Sequence, residues 1–322
     1  MDIAYLIWLQ NLRESLGDFS VTLIELVTAI PKSPLAAMIP GILFWCISRR
    51  AGLFLLAVAS FGRLINSLLK DIFCVYRPWI LDPSVHPVQS AMAKASSYSM
   101  PSGHTQMATA IFGGLAYFYR HRYPKLIIPC ALIILLVGFS RNFLGVHTPQ
   151  DVLVAILETV VVIFLTEKIF EMTRLDKNWG ILFWGAGAVF CAIAAIYMLA
   201  KNYPVDYLYG KIIVTPENAL LDSLDGVGAA AGFLIGMALE NRFVNFSTQV
   251  DLGVKVRRVI IGCVVGGIAM FALLILKHFA AAELYEFCKG FLPFLAIIFF
   301  APLAFSIFER KTKFRFKRLS RF

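Results

Sequence analysis

The sequence predicts an all-α, polytopic integral membrane helical bundle, and three observations predict it. Of the 322 residues, 59% are hydrophobic and 16% charged, with a mean hydropathy of +0.75, too apolar a balance for a soluble domain. The apolar residues fall into runs long enough to cross a bilayer, which takes roughly 17–25 residues as a helix. The charged residues collect in the short connections between those runs. The net charge of +10 therefore does not point to nucleic acid. The basic residues sit beside apolar spans and in the tail from Arg310 to Arg321, where they orient the protein and touch anionic lipid headgroups.

Residues 1–17 mix Ile7, Trp8 and Leu9 with Arg13 and Glu14, the pattern of an interfacial amphipathic helix. Asp2 stands where a signal peptide would be basic, so no cleavable signal is expected. Val21 to Ile30 is apolar but too short to cross, and Pro31-Lys32 ends it, which reads as a re-entrant or packed half-helix. Nine spans are expected after it, at about 33–48, 51–75, 101–120, 124–143, 148–172, 179–200, 219–240, 256–278 and 286–308.

The connections at Ser48-Arg49-Arg50, Arg120-His121-Arg122, Lys168 to Lys177 and Lys255 to Arg258 are basic, as is the tail. The positive-inside rule makes that side cytoplasmic. The chain divides into residues 1–174 and a second region, 175–322, of about four further spans and the tail. Gly226, Gly228, Gly232 and Gly236 lie at spacings that let helices approach closely. Six scattered cysteines form no Cys-x-x-Cys pair and no cluster with metal spacing, and they read as small buried apolar residues.

Three polar stretches interrupt this pattern, all on the side opposite the basic loops. Lys70 is followed by Arg77-Pro78. Pro101-Ser102-Gly103-His104 opens an apolar run. Ser140-Arg141 precedes His147 and Asp151. Pro101 suits the first turn of a helix, and the Ser102 and Gly103 N–H groups would then lie free at its positive end, where anions bind. Lys70, Arg77 and Arg141 can neutralise the charges of a phosphate ester, the arginines bidentately. Singly, each cation also suits an interfacial anchor. Thr148 and Pro149 read as a helix cap and first position. The Asp151 carboxylate then either completes that cap or reaches back to the His147 ring, leaving the other ring nitrogen free to attack phosphorus.

In order, these stretches resemble the three-part signature of the type 2 phosphatidic acid phosphatase (PAP2) superfamily, over about Phe44 to Met172. The resemblance implies His147 as nucleophile through a phosphohistidine, Asp151 as its orienting partner and His104 as proton donor to the leaving oxygen. It implies Lys70, Arg77, Ser102, Gly103 and Arg141 as the phosphate-binding set. Ser140 also matches, without a clear role. No metal and no cofactor are expected, since few carboxylates flank the signature. His86 and His121 read as surface residues.

The expected activity is hydrolysis of a lipid phosphate or diphosphate, such as phosphatidate, phosphatidylglycerol phosphate or undecaprenyl diphosphate, by a multi-pass protein of the bacterial cytoplasmic (inner) membrane whose site faces outside. The alternatives are a lipid phosphotransferase using the same histidine, and a lipid transporter or scramblase on this scaffold. Asp222 and Asp225 begin a later span on the site's side, either as helix-terminus charges or as a border of the substrate entrance. Residues 179–308 are expected to affect lipid choice more than chemistry.

Overall fold

The computed structural model describes residues 2–309 apart from 176, 209 and 245; the expected basic tail lies outside them. The chain is helical almost throughout. Helices α1 (Asp2–Leu16) and α2 (Asp18–Ala29) form a hairpin. A 3-10 turn at Ile30–Lys32 leads into α3 (Pro34–Ile42), which ends in a π turn, Leu43–Ile47. Ser33 caps α3, accepting from the Ala36 N–H, with Pro34 at its first position, the arrangement in which proline's missing donor costs nothing.

Helix α4 (Arg49–Phe73) is the central pillar. Two short helices, α5 (Pro78–Leu81) and α6 (Gln89–Met92), lie in the connection that follows. Then come α7 (Gly103–Ala108), a π turn at Thr109–Gly113, and α8 (Gly114–Phe118). Helices α9 (Ile127–Phe143) and α10 (Pro149–Leu175) complete the first region. The second holds α11 (Lys177–Ala200), α12 (Pro216–Phe243), α13 (Leu252–Phe279) and α14 (Ala282–Leu295). A two-stranded hairpin, β1 (Tyr207–Leu208) paired antiparallel with β2 (Lys211–Ile212), sits between α11 and α12.

Helices occupy all nine expected spans. Among the described residues, seven helical segments are long and apolar enough to cross a membrane. Residues 103–118 are too few for that length. Helix α10 is also outside the set, and it carries Asp151, Glu158, Glu167, Lys168 and Glu171. The first of the seven, Asp18–Ile47, takes in α2 as well as the expected first span.

The two regions share one hydrophobic core, which runs from Phe54, Leu55 and Val58 of α4 to Val227, Ala230 and Phe233 of α12. Glycine makes the close approach of α12 and α14 possible. A Cβ on Gly228 would stand 2.0 Å from the Phe287 carbonyl oxygen, and one on Gly232 would stand 2.4 Å from that of Phe291. Only hydrogen fits there, so the two backbones pack directly. At one end of the bundle, Arg258 pairs with Glu309 at 2.7 Å and donates to the Trp45 carbonyl at 2.7 Å. Arg49 pairs with Glu240 at the same end. The signature residues lie at the other end.

Candidate active site

The site is assembled from the ends of α4, α7, α9 and α10. The loop between α9 and α10 carries His147 and is held at several points. Gly145 takes φ +72°, a conformation open to glycine, and its Cα faces Pro87 so closely that a Cβ would come within 3.1 Å. The Val88 N–H donates to the Leu144 carbonyl at 3.0 Å. Asn142 Nδ2 donates to the His147 carbonyl at 2.9 Å. Arg77 donates from Nε to the Ser97 carbonyl at 2.9 Å and from Nη1 to the Val146 carbonyl at 3.0 Å.

Asp151 does both things the sequence left open. Its Oδ2 accepts from the Thr148 N–H at 2.8 Å, while the Asp151 N–H reaches Thr148 Oγ1 at 3.3 Å, a reciprocal cap of α10. The same Oδ2 accepts from Ser99 Oγ at 2.6 Å and faces His147 Nδ1 at 3.3 Å. Nothing in the sequence singles out Ser99 for this place. Three donors on one oxygen favour the charged carboxylate and assign the imidazole proton to Nδ1. Nε2 is then the basic nitrogen, and Arg77 Nη1 lies 3.0 Å from it. Burial first, then the neighbouring Arg77 charge, push the His147 imidazole down to about 3, against the raising effect of Asp151. The nucleophile candidate is thus neutral at any physiological pH.

Arg141 is 4% exposed. It donates from Nη1 to Thr28 Oγ1 of α2 at 2.9 Å, and its buried Nε has no hydrogen-bond partner. A phosphate oxygen would supply one. Ser140 donates to the Val137 carbonyl within its own helix at 2.6 Å, a local role.

The glycine segment departs from expectation in two ways. Helix α7 begins at Gly103 with Ser102 as N-cap, so Pro101, which follows a cis peptide bond, lies outside the helix rather than in its first turn. The Ser102 N–H is not free, because it donates to the Asp151 carbonyl at 3.0 Å. The Gly103 N–H, by contrast, stands at the first helical position, which leaves it without an intrahelical partner. Ser102 Oγ accepts from Thr105 Oγ1 at 3.1 Å, which leaves its own proton to donate. His104 follows in the first turn, partly exposed, and feels the charges of Lys32, Arg141, His147 and Lys70.

Lys70 is the cation placed least as expected. Its Nζ lies 2.6 Å from Asp222 Oδ2 on α12, so the second region reaches the signature itself. Asp225 pairs with Arg63 of α4 at 3.3 Å. Ser223 Oγ donates to the buried Asp71 at 2.7 Å. Gly226 lets α12 sit on α4 at this level, since its Cβ would stand 2.7 Å from Ser67 Oγ. His86 is exposed, as expected, but takes part in docking α1. Arg13 donates to the His86 carbonyl at 2.6 Å and to that of Phe143 at 2.7 Å.

Comparison with known proteins bears on this geometry. Residues 51–174 match the PAP2 superfamily model, and residues 224–313 match that of the PAP2 superfamily phosphatase transmembrane extension. The chain is 32% identical over 148 residues to phosphatidylglycerophosphatase B of Bacillus subtilis, covering 44% of this chain and 68% of that one. It is 33% identical over 113 residues to undecaprenyl-diphosphatase BcrC of the same organism, covering 35% of this chain and 54% of that one. It is 29% identical over 202 residues to sphingosine-1-phosphate phosphatase 2 of Mus musculus, covering 61% of this chain and 51% of that one. It thus spans about half the length of the last two. No solved structure matches the chain.

Proposed function

The chain belongs to the PAP2 superfamily, and from that premise we propose that it is a lipid phosphatase acting through a phosphohistidine on His147. One observation carries the reading. Nδ1 of His147 faces a carboxylate that accepts two other hydrogen bonds, while Nε2 faces the guanidinium of Arg77 at 3.0 Å. A phosphoryl group arriving between them takes the arginine N–H for one of its oxygens and leaves the Nε2 lone pair aimed at phosphorus.

Bond formation from Nε2 to phosphorus then accompanies cleavage of the bond to the leaving oxygen, which takes a proton from His104. Arg77, Arg141, Lys70, Ser102 Oγ and the Gly103 N–H stabilise the charge on the phosphoryl oxygens. In the second half, water attacks the phosphohistidine, His104 takes its proton, and inorganic phosphate leaves. No step is routed through a metal. Among the described residues, no three His, Cys, Asp or Glu side chains are grouped to hold one.

The relatives act, by their names, on phosphatidylglycerophosphate, undecaprenyl diphosphate and sphingosine 1-phosphate, which supports a lipid phosphate as substrate here. The basic loops at the opposite end of the bundle support a site on the extracytoplasmic face of a bacterial cytoplasmic membrane. The test is inorganic phosphate release by purified full-length protein from those lipids and phosphatidate, in excess EDTA. Release by the wild type and none by His147→Ala is expected. Release unchanged in the variant, or activity that requires added Mg²⁺, would overturn the mechanism.

A further inference from the structure

Resting on that phosphatase reading, we infer that Lys32 forms a second anion subsite beside His104, which takes the inner phosphate of a lipid diphosphate. Lys32 ends the 3-10 turn between α2 and α3. It lies outside the residues that match either family model. The turn packs against α7, the helix that carries His104. Thr28, four residues earlier, holds Arg141 at 2.9 Å, so this end of α2 and its turn form a wall of the site. Lys32 is among the charged groups around His104, with Arg141, His147 and Lys70.

The ion pairs separate Lys32 from its neighbours. The charged groups around it are Arg63, Lys70, Asp222 and Asp225. Lys70 is paired with Asp222 and Arg63 with Asp225. Lys32 is exposed, and among the described residues no carboxylate lies within ion-pair distance of it. Arg77 and Arg141 already face the phosphoryl group under attack, and a monoester with an uncharged alcohol leaving group has no further charge to offer. A lipid diphosphate does. When Nε2 attacks the outer phosphorus, the bridging oxygen departs with the inner phosphate still attached. His104 protonates that oxygen, and the product is a lipid monophosphate. An ammonium beside His104 stands where the departing group gains charge.

The experiment uses full-length protein in detergent with farnesyl diphosphate and farnesyl monophosphate, which share one chain. The value of kcat/KM is measured for the wild type, Lys32→Gln and Lys32→Arg. Glutamine cannot supply the charge-assisted hydrogen bond of the ammonium, so Lys32→Gln should lower kcat/KM on the diphosphate by about 10- to 100-fold. The monophosphate should change by less than about threefold, and arginine should restore most of the activity on the diphosphate. Binding of both lipids to a His147→Asn background, with and without Lys32→Gln, tests the subsite without turnover, and the same preferential weakening for the diphosphate is expected.

Equal losses on both substrates, or no loss on either, would overturn the subsite. So would a wild type that hydrolyses the monophosphate but neither hydrolyses nor binds the diphosphate, and that result would leave the phosphatase reading intact. Absence of turnover on both lipids, with Lys32-dependent diphosphate binding retained, would overturn the phosphatase reading alone.

Discussion

Asp151 Oδ2 holds Ser99, Thr148 and His147 at once, so the two histidines are differently constrained and should fail differently. In the proposed mechanism His147 attacks phosphorus, so His147→Ala should stop turnover on every substrate and remove any acid-labile phosphoenzyme trapped by rapid quench. The proposed role of His104 is to protonate the leaving oxygen. Its help, typically about 10²–10⁴ in rate, matters for the alkoxide of phosphatidate and little for p-nitrophenolate. His104→Ala should therefore cripple lipid hydrolysis yet keep a much larger share of p-nitrophenyl phosphate hydrolysis. Equal sensitivity of the two substrates would remove the proton-donor role. The protonation of His147 also bears on stability. Its imidazole is held down to about 3 in the folded protein and titrates near about 6.5 when unfolded. Between those values the unfolded chain binds a proton that the folded chain does not. The stability His147 contributes is complete above about pH 6.5 and declines as pH falls. Thermal unfolding in detergent at pH 7 and pH 5 should show the wild type losing about 2 kcal/mol more than His147→Asn; a matching loss in both would count against the burial argument.

The helix that most changes the picture is α12, which faces α14 through its glycines and α4 through its acids. Gly228→Ala pushes a methyl group into the Phe287 carbonyl and should lower unfolding stability by about 1–3 kcal/mol. Gly266→Ala on α13, with nothing within 4 Å of the added carbon, should leave stability unchanged or raise it slightly. Asp222 lies 2.6 Å from Lys70 Nζ, so Asp222→Asn frees a signature lysine and should change kcat/KM on long-chain and short soluble phosphates alike, by about tenfold. A loss confined to long-chain lipids would return the second region to the role in lipid choice that its sequence suggests.

For the whole molecule, the basic loops and the signature lie at opposite ends of the bundle, which makes sidedness measurable. Ser84 and Ser247 are both exposed, on the signature side and the basic side respectively. With the native cysteines replaced, a membrane-impermeant thiol reagent should label Ser84→Cys in intact spheroplasts and Ser247→Cys only after permeabilisation; the reverse pattern would invert the topology.

The apolar runs, the gathering of the basic loops at one end of the bundle and the pairing of His147 with Asp151 were legible in the sequence, because each depends on composition or on residues within about one helical turn. The same holds for the glycines of α12, whose spacing announces close packing. The partners of the signature cations were not legible. Asp222 lies 152 residues from Lys70 and Thr28 lies 113 from Arg141. In the sequence Lys32 only ends a half-helix; its turn meets α7, the helix of His104, once α1 and α2 are folded against α9. Periodicity says which face of a helix is apolar, not which helix that face meets or at what height. Where α12 slides against α4, and so which carboxylate stops beside Lys70, is decided by the depth to which Gly226 lets the two backbones approach, and that exists only in the assembled bundle.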